Sequence, residues 1–250
     1  MKLASRPKTF DLGQAAKKGV AWIVTGRAVI LLIAIGTGVV LSRLLDPQDF
    51  GVYGIAQIFA GIITRLGNLG FGQALIQRKE INDDHVSSFF MFNLFIFSLL
   101  ASLLILVSPF VGAWFESPLA GRVLAVAALT YFADPFSSVA RVLMQRRMNF
   151  KGPAIADAVE HFVSAAASIA FACRGHGVWS LVYGQLFGTV LHTILLMVQA
   201  RWRPRFKYNH AAIKELYSFG LNMTFKRLLI YGTDKVDYFF TGKQLGPVSL

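Results

Sequence analysis

A single cysteine, Cys173, stands in 250 residues, which excludes an intrachain disulfide framework and a cysteine-built metal site. Charge is equally scarce. Asp, Glu, Lys and Arg make up 15% of the chain, against about 25% in ordinary soluble proteins, so there is too little polar material to coat a globule of this length. Acidic residues are the rarest, 13 against 25 Lys plus Arg, for a net charge of +12. In a soluble chain that excess would suggest a nucleic-acid binder. Here it accompanies 55% hydrophobic residues and a mean hydropathy of +0.54, and a nucleic-acid partner is not expected. HExxH is absent, and no Ser/His/Asp or Cys/His arrangement has supporting local sequence. Gly36-x-Gly38 and the glycines from Gly67 to Gly72 lack the strand context of nucleotide-binding loops and read as sites of close helix packing. No catalytic residue, metal ligand or cofactor is therefore assigned. What is abundant is Phe and Gly, 22 of each, both common in packed membrane helices. The expected fold class is all-α, a polytopic membrane helix bundle.

A membrane-crossing helix needs about 20 mostly apolar residues. Such runs fall near 20–42, 50–68, 87–115, 119–143, 153–173 and 177–199, with a seventh near 216–240. The third is the clearest: Phe89 to Phe115 carries no charge, and Pro109 is expected to kink or end it. In the fourth, Asp134-Pro135 is expected to bend the helix. No apolar run precedes Val20, so the first span reads as retained rather than as a cleaved signal.

Cations set the orientation. Lys2, Arg6, Lys8, Lys17 and Lys18 precede the first span, and Arg78 and Lys79 follow the second. Arg141, Arg146, Arg147 and Lys151 follow the fourth, and Arg201, Arg203, Arg205, Lys207 and Lys214 follow the sixth. Only Arg43, Arg122 and Arg174 fall on the opposite side. The expected N-terminus is cytoplasmic, and the outer loops are too short to hold a catalytic domain.

SRLLDPQDF at 42–50 aligns without gaps on GKQLGPVSL at 242–250, and at the same offset Arg27 falls on Arg227 and Ile30 on Ile230. Both segments are a span followed by a proline-containing turn, so the seventh span reads as the counterpart of the first. Repeated halves of this kind are frequent in transporters. The second copy is incomplete, and the chain reads as the first half, plus one helix, of a protein of roughly twice the length.

RLLDPQDFGVYGIAQIF (43–59), LGFGQALIQRKEI (69–81), QRRMNFK (145–151), GHGVWSLVYGQL (175–186), RWRPRF (201–206) and SFGLNMTFKRLLIYGTDKVDYFFTGKQLG (218–246) resemble the polysaccharide biosynthesis and export family. These are flippases of the Wzx type, in the superfamily that includes the MATE exporters. The resemblance implies two six-helix lobes around a cavity open alternately to each side. This chain would supply a basic arm (1–19), an N-lobe of six transmembrane helices (20–199), a basic cytoplasmic loop (200–215) and the first helix of an incomplete C-lobe (216–250). The implied cargo is an undecaprenyl-diphosphate-linked oligosaccharide, carried across the bacterial inner membrane for lipopolysaccharide, capsule or exopolysaccharide assembly. The implied partners are that lipid-linked glycan, the membrane and the polysaccharide polymerase machinery. The alternatives are a drug or ion antiporter of the same fold, and a polytopic polysaccharide polymerase. The second needs a large outer loop that this sequence lacks.

Ionisable residues inside spans usually face a bundle interior or a wet cavity. Arg27, Arg65 and Arg227 are candidates to line a cationic cavity for the diphosphate, because guanidinium grips phosphate bidentately. The competing reading pairs Arg27 or Arg65 with Asp134, Asp157 or Glu160 as packing glue. Asp134, Asp157, Glu160 and Asp237 are candidates for ion coupling. His161 shares a helix face with Asp157 and could relay protons; otherwise it, like His192, is simply hydrogen-bonded.

Overall fold

The computed structural model describes residues 12–67, 71–78 and 81–210. They form eight α-helices: α1 (Leu12–Leu41), α2 (Pro47–Gly67), α3 (Phe71–Gln77), α4 (Asp83–Trp114), α5 (Pro118–Ala127), α6 (Asp134–Arg146), α7 (Lys151–Ala172) and α8 (Trp179–Ala200). A short 3-10 turn, Ala128–Phe132, joins α5 to α6. No strand occurs among the described residues. The seventh expected span and the second copy of the repeat lie outside them.

Among the described residues, four helical segments are long and apolar enough to cross a membrane: Gly19–Leu41 of α1, then α4, α7 and α8. The bent pair formed by Pro118–Phe132 and α6, counted as one broken span, would make a fifth. This is a multi-pass membrane protein.

Helix α4 shows how the sequence builds such an element. Asn82 caps it by accepting from the His85 backbone N–H at 2.9 Å, while the His85 ring accepts from the Asn82 N–H at 3.3 Å. Val86, Phe90, Asn93, Phe97, Ala101, Leu104, Ser108 and Val111 are buried at helical spacing. The opposite face exposes Phe95, Leu99, Leu103, Leu106 and Phe110. A helix apolar on both faces belongs in lipid. Pro109 does not end it. Proline has no N–H for the Ile105 carbonyl one turn back, and the Ser108 hydroxyl donates to that carbonyl instead, at 2.8 Å.

The expected break before Pro135 is present. The chain passes from α5 through the 3-10 turn into α6 with a bend of 42°, and Pro135 sits in the first turn of α6, where its missing N–H costs nothing.

The core lies between α2, α4, α5 and the start of α8, around Val52, Ile55, Phe97, Ala101, Val123 and Val182. A second cluster joins α3, α4 and α6 through Leu75, Phe89, Phe90, Val139 and Leu143. Helices α7 and α8 form the most extensive pair. In lipid, apolar burial between helices gains little, so close approach and hydrogen bonds carry association. A methyl group at Gly184 would lie 2.6 Å from the Ser164 carbonyl oxygen, and one at Gly188 2.9 Å from the Glu160 carbonyl oxygen. Gly184→Val is therefore expected to cost about 1–3 kcal/mol by overpacking, read as a lowered unfolding midpoint in micelles. An unchanged midpoint would mean that α7 and α8 separate freely. Gly36 and Gly38, by contrast, correct the packing expectation: among the described residues nothing lies within 4 Å of a methyl group placed at either.

The motifs meet at the ends of the bundle. Asp49, from DPQDF, accepts from the Val178 backbone N–H at 3.0 Å at the start of α8. Two glycines with positive φ, Gly175 and Gly177, let the preceding turn close that tightly. One layer inward, Gln185 accepts from the Tyr53 hydroxyl at 2.9 Å and from the Gln57 amide at 3.1 Å. At the other end, Arg146 donates to the carbonyls of Leu75, Ile76 and Arg78, and Arg147 donates to the Ala200 carbonyl.

Candidate functional site

Three helices bring a charged cluster together roughly 10 Å inside the bundle, counted at 1.5 Å per residue from their basic ends. Arg141 comes from α6, Asp157 and Glu160 from α7, and His192 from α8. The Arg141 guanidinium grips the Asp157 carboxylate with both arms, Nη1 to Oδ2 at 3.1 Å and Nη2 to Oδ1 at 2.5 Å. Such a bidentate pair is the strongest form of this contact. The His192 ring, 9% exposed, places Nε2 3.0 Å from Asp157 Oδ1 and Nδ1 3.5 Å from Glu160 Oε2. Nε2 also lies 2.9 Å from Arg141 Nη2.

That geometry has a chemical consequence. Arginine only donates and carboxylate only accepts. A neutral His192 can accept from Arg141 at Nε2 or donate there to Asp157, but not both. The tautomer protonated at Nδ1 accepts from Arg141 at Nε2 and faces Glu160 with Nδ1–H, whereas a doubly protonated ring would set its Nε2–H against the Arg141 N–H 2.9 Å away. Asp134, at the start of α6, is within electrostatic reach of Glu160, His192 and Arg141.

Arg27 approaches from α1. It lines a cleft of about 240 Å³ with Gly26, Arg141, Gln145, Pro153 and Asp157. Among the described residues Arg27 forms no ion pair, so the expected alternative in which it neutralises Asp157 is replaced by the Arg141 pair. Two guanidiniums thus face one cleft. Asp157, Glu160 and His192 present ligand atoms within 4.8 Å of one another, a spacing one cation could bridge. The Arg141 guanidinium already occupies the shared Asp157 edge, so the cluster is compensated by an organic cation.

The structure brings Arg27, Asp134, Asp157 and Glu160 into one neighbourhood. Arg65 lies in α2, but its side chain is outside the described residues, as are Arg227 and Asp237. His161 turns away: it is exposed, and its Nδ1 contacts the Asp157 backbone carbonyl at 2.8 Å. Sequence reasoning missed two members. Arg141 reads as a loop cation because it runs into Gln145-Arg146-Arg147, yet it is half-buried in α6 among Val139, Ala140, Val142 and Leu143. An arginine flanked by apolar residues within a helix was the available signal. His192 is a lone histidine, and no local pattern marks it.

The profile of a family described as polysaccharide biosynthesis protein matches residues 40–250. The chain belongs to that family. It is 27% identical to the succinoglycan biosynthesis transport protein ExoT of Rhizobium meliloti, over 82% of the chain and 42% of that protein. It is 20% identical to the lipopolysaccharide biosynthesis protein WzxC of Escherichia coli, over 95% of the chain and 49% of that protein. The chain spans about half the length of the curated relatives it matches. Among solved structures, a MATE protein in complex with Br-NRF superposes with a TM-score of 0.67 at 17% identity, over 91% of the chain and 56% of that structure. A MOP superfamily transporter from Pyrococcus furiosus gives 0.64 at 17%, over 96% and 61%. At that identity the likeness establishes a MATE-like fold.

Proposed function

We propose that this polysaccharide biosynthesis protein is part of a transporter, not an enzyme, that moves an undecaprenyl-diphosphate-linked oligosaccharide across the bacterial inner membrane. The glycan would serve lipopolysaccharide, capsule or exopolysaccharide assembly and pass on to the polymerase machinery. The arm (1–19) and the basic loop (200–215) lie on the cytoplasmic side in this reading. Residues 20–199 form a six-helix N-lobe, and residues 216–250 begin a second lobe.

The observation that carries the reading is the cleft shared by Arg27 and Arg141. A diphosphate leaving bulk water needs compensating cations, and guanidinium supplies both charge and paired donors. Arg65 and Arg227 would extend the cationic wall. The adjoining cluster suits ion coupling. Among the described residues it sets two guanidiniums against three carboxylates, Asp134, Asp157 and Glu160, and one added proton balances them. His192 links two of those carboxylates, Asp157 and Glu160. Asp237 would contribute from the second lobe. The ExoT relative, itself named a transport protein, supports the same direction.

The test is complementation of a flippase-deficient strain carrying the native glycan locus. The 250-residue chain is expressed beside a form extended by the coding sequence that follows it. Surface glycan restored by either form is the expected result. Failure of both, with expression and insertion verified, would sink the transport reading.

A further inference from the structure

A second charged feature lies at the basic end of the bundle, apart from the Arg27 cleft. Residues 201–209, part of the expected basic loop (200–215), are docked as a strap across the first turns of α4. The Trp202 and Phe206 rings pack on Phe90 with centroids 5.3 and 5.7 Å away. Arg205 pairs with Asp83 at 2.6 Å, Lys207 pairs with Asp84 at 2.8 Å, and the Asn209 N–H donates to Ser88 Oγ at 2.8 Å.

The strap closes one side of a groove of about 650 Å³ between the ends of α4, α6 and α8. Its polar wall holds Arg147, Arg201, Arg203 and Arg205 against one carboxylate, Asp83; its apolar wall holds Val86, Leu143, Met197 and Val198. Arg147 is fixed by the Ala200 carbonyl and Arg205 by Asp83. Arg201 and Arg203 are exposed and have no ion pair among the described residues. Arg201 holds a left-handed backbone, φ 50°, as the C-cap of α8. Val198 is 69% exposed, so the apolar wall opens on an uncovered side of α8 among the described residues.

From this arrangement we propose that the groove binds an anionic phospholipid, its phosphate among Arg147, Arg201 and Arg203 and its first acyl segment along Met197 and Val198. Four guanidiniums against one carboxylate select a negative head group. A free phosphate would leave the apolar wall unused, and a zwitterionic lipid would leave the excess charge uncompensated. The volume falls in the range of pockets that enclose small ligands. The proposal does not depend on the transport reading or on which face of the membrane the groove occupies.

Native mass spectrometry of the full chain, delipidated and re-exposed to phosphatidylglycerol or phosphatidylcholine, tests it. The expected result is preferential retention of one phosphatidylglycerol. At about 1 kcal/mol per surface arginine, the Arg201→Gln/Arg203→Gln double variant should lower retention by roughly tenfold or more, and the corresponding lysine pair should keep most of it. Val198→Trp, which narrows the apolar wall and leaves every arginine in place, should lower retention too; it carries the test if the arginine variant fails to insert. Inorganic phosphate at matched concentration should not displace the lipid. Equal retention of the two lipids, indifference to both variants, displacement by phosphate alone, or stronger competition from a polyprenyl diphosphate would each overturn the assignment. Because the readout is lipid binding rather than glycan export, failure here leaves the transport reading untouched.

Discussion

Arg141→Met is expected to destabilise the chain by about 3 kcal/mol, and Arg141→Met/Asp157→Leu to recover most of that loss. Removing one member of a membrane-depth ion pair leaves the other charge without compensation, which typically costs about 3–5 kcal/mol. Both side chains are about one-third exposed, so water reaches the pair and the lower end applies. Arg141 is also the guanidinium that contacts Asp157 and His192 directly, and without it Asp134, Asp157 and Glu160 face one another with only Arg27 across the cleft. Replacing both partners by apolar side chains removes the desolvated charge itself, which is often nearly neutral. The measurement is a double-mutant cycle on unfolding midpoints in micelles, with a coupling energy of at least about 2 kcal/mol expected. Additive single effects would show that the bidentate contact contributes nothing to the fold. In a transport assay both variants should fail, because the double variant restores packing without restoring charge.

The sequence is legible where a residue type has one physical use. The uncharged stretch from Phe89 to Phe115 can only be an apolar helix, and α4 occupies it. Pro135 marks the bend between the 3-10 turn and α6. The motifs that carry the family resemblance turn out to be joints: Asp49 on Val178, Tyr53 and Gln57 on Gln185, Arg146 on the end of α3. A joint needs a particular side chain at a fixed place, so it leaves a readable local pattern.

The cluster leaves no such pattern. Arg141, Asp157 and His192 lie 16 and 35 residues apart along the chain and meet only because α6, α7 and α8 pack side by side. The positive-inside rule counts arginines near span ends without regard to burial, and Arg141 was hidden by its neighbours Arg146 and Arg147. Gly36 and Gly38 fail for the converse reason. A glycine pair permits close packing but does not create a partner, and no described residue comes within 4 Å of a methyl group at either position.

Arg27 separates the two remaining uses of charge in this bundle. Its side chain is exposed to the cleft and has no ion pair among the described residues, so no ion pair described there depends on it. Arg27→Ala should therefore leave the unfolding midpoint within about 0.5 kcal/mol of the parent. Export should fall much further. A hydrogen bond to a charged group contributes about 1.5–3 kcal/mol, so on the proposed reading, in which Arg27 contacts the diphosphate, its loss should slow transport by roughly one to two orders of magnitude. Arg27→Lys should fall between, since ammonium keeps the charge but cannot form the planar paired contact. The readout is export of lipid-linked glycan by whichever form complements, measured beside the unfolding midpoint. Full export by the alanine variant would remove Arg27 from the cargo path. Loss of stability in parallel with export would assign it to packing instead. Only loss of export at constant stability fits a guanidinium kept unpaired for the cargo, with Arg141 held beside it by the carboxylate of Asp157.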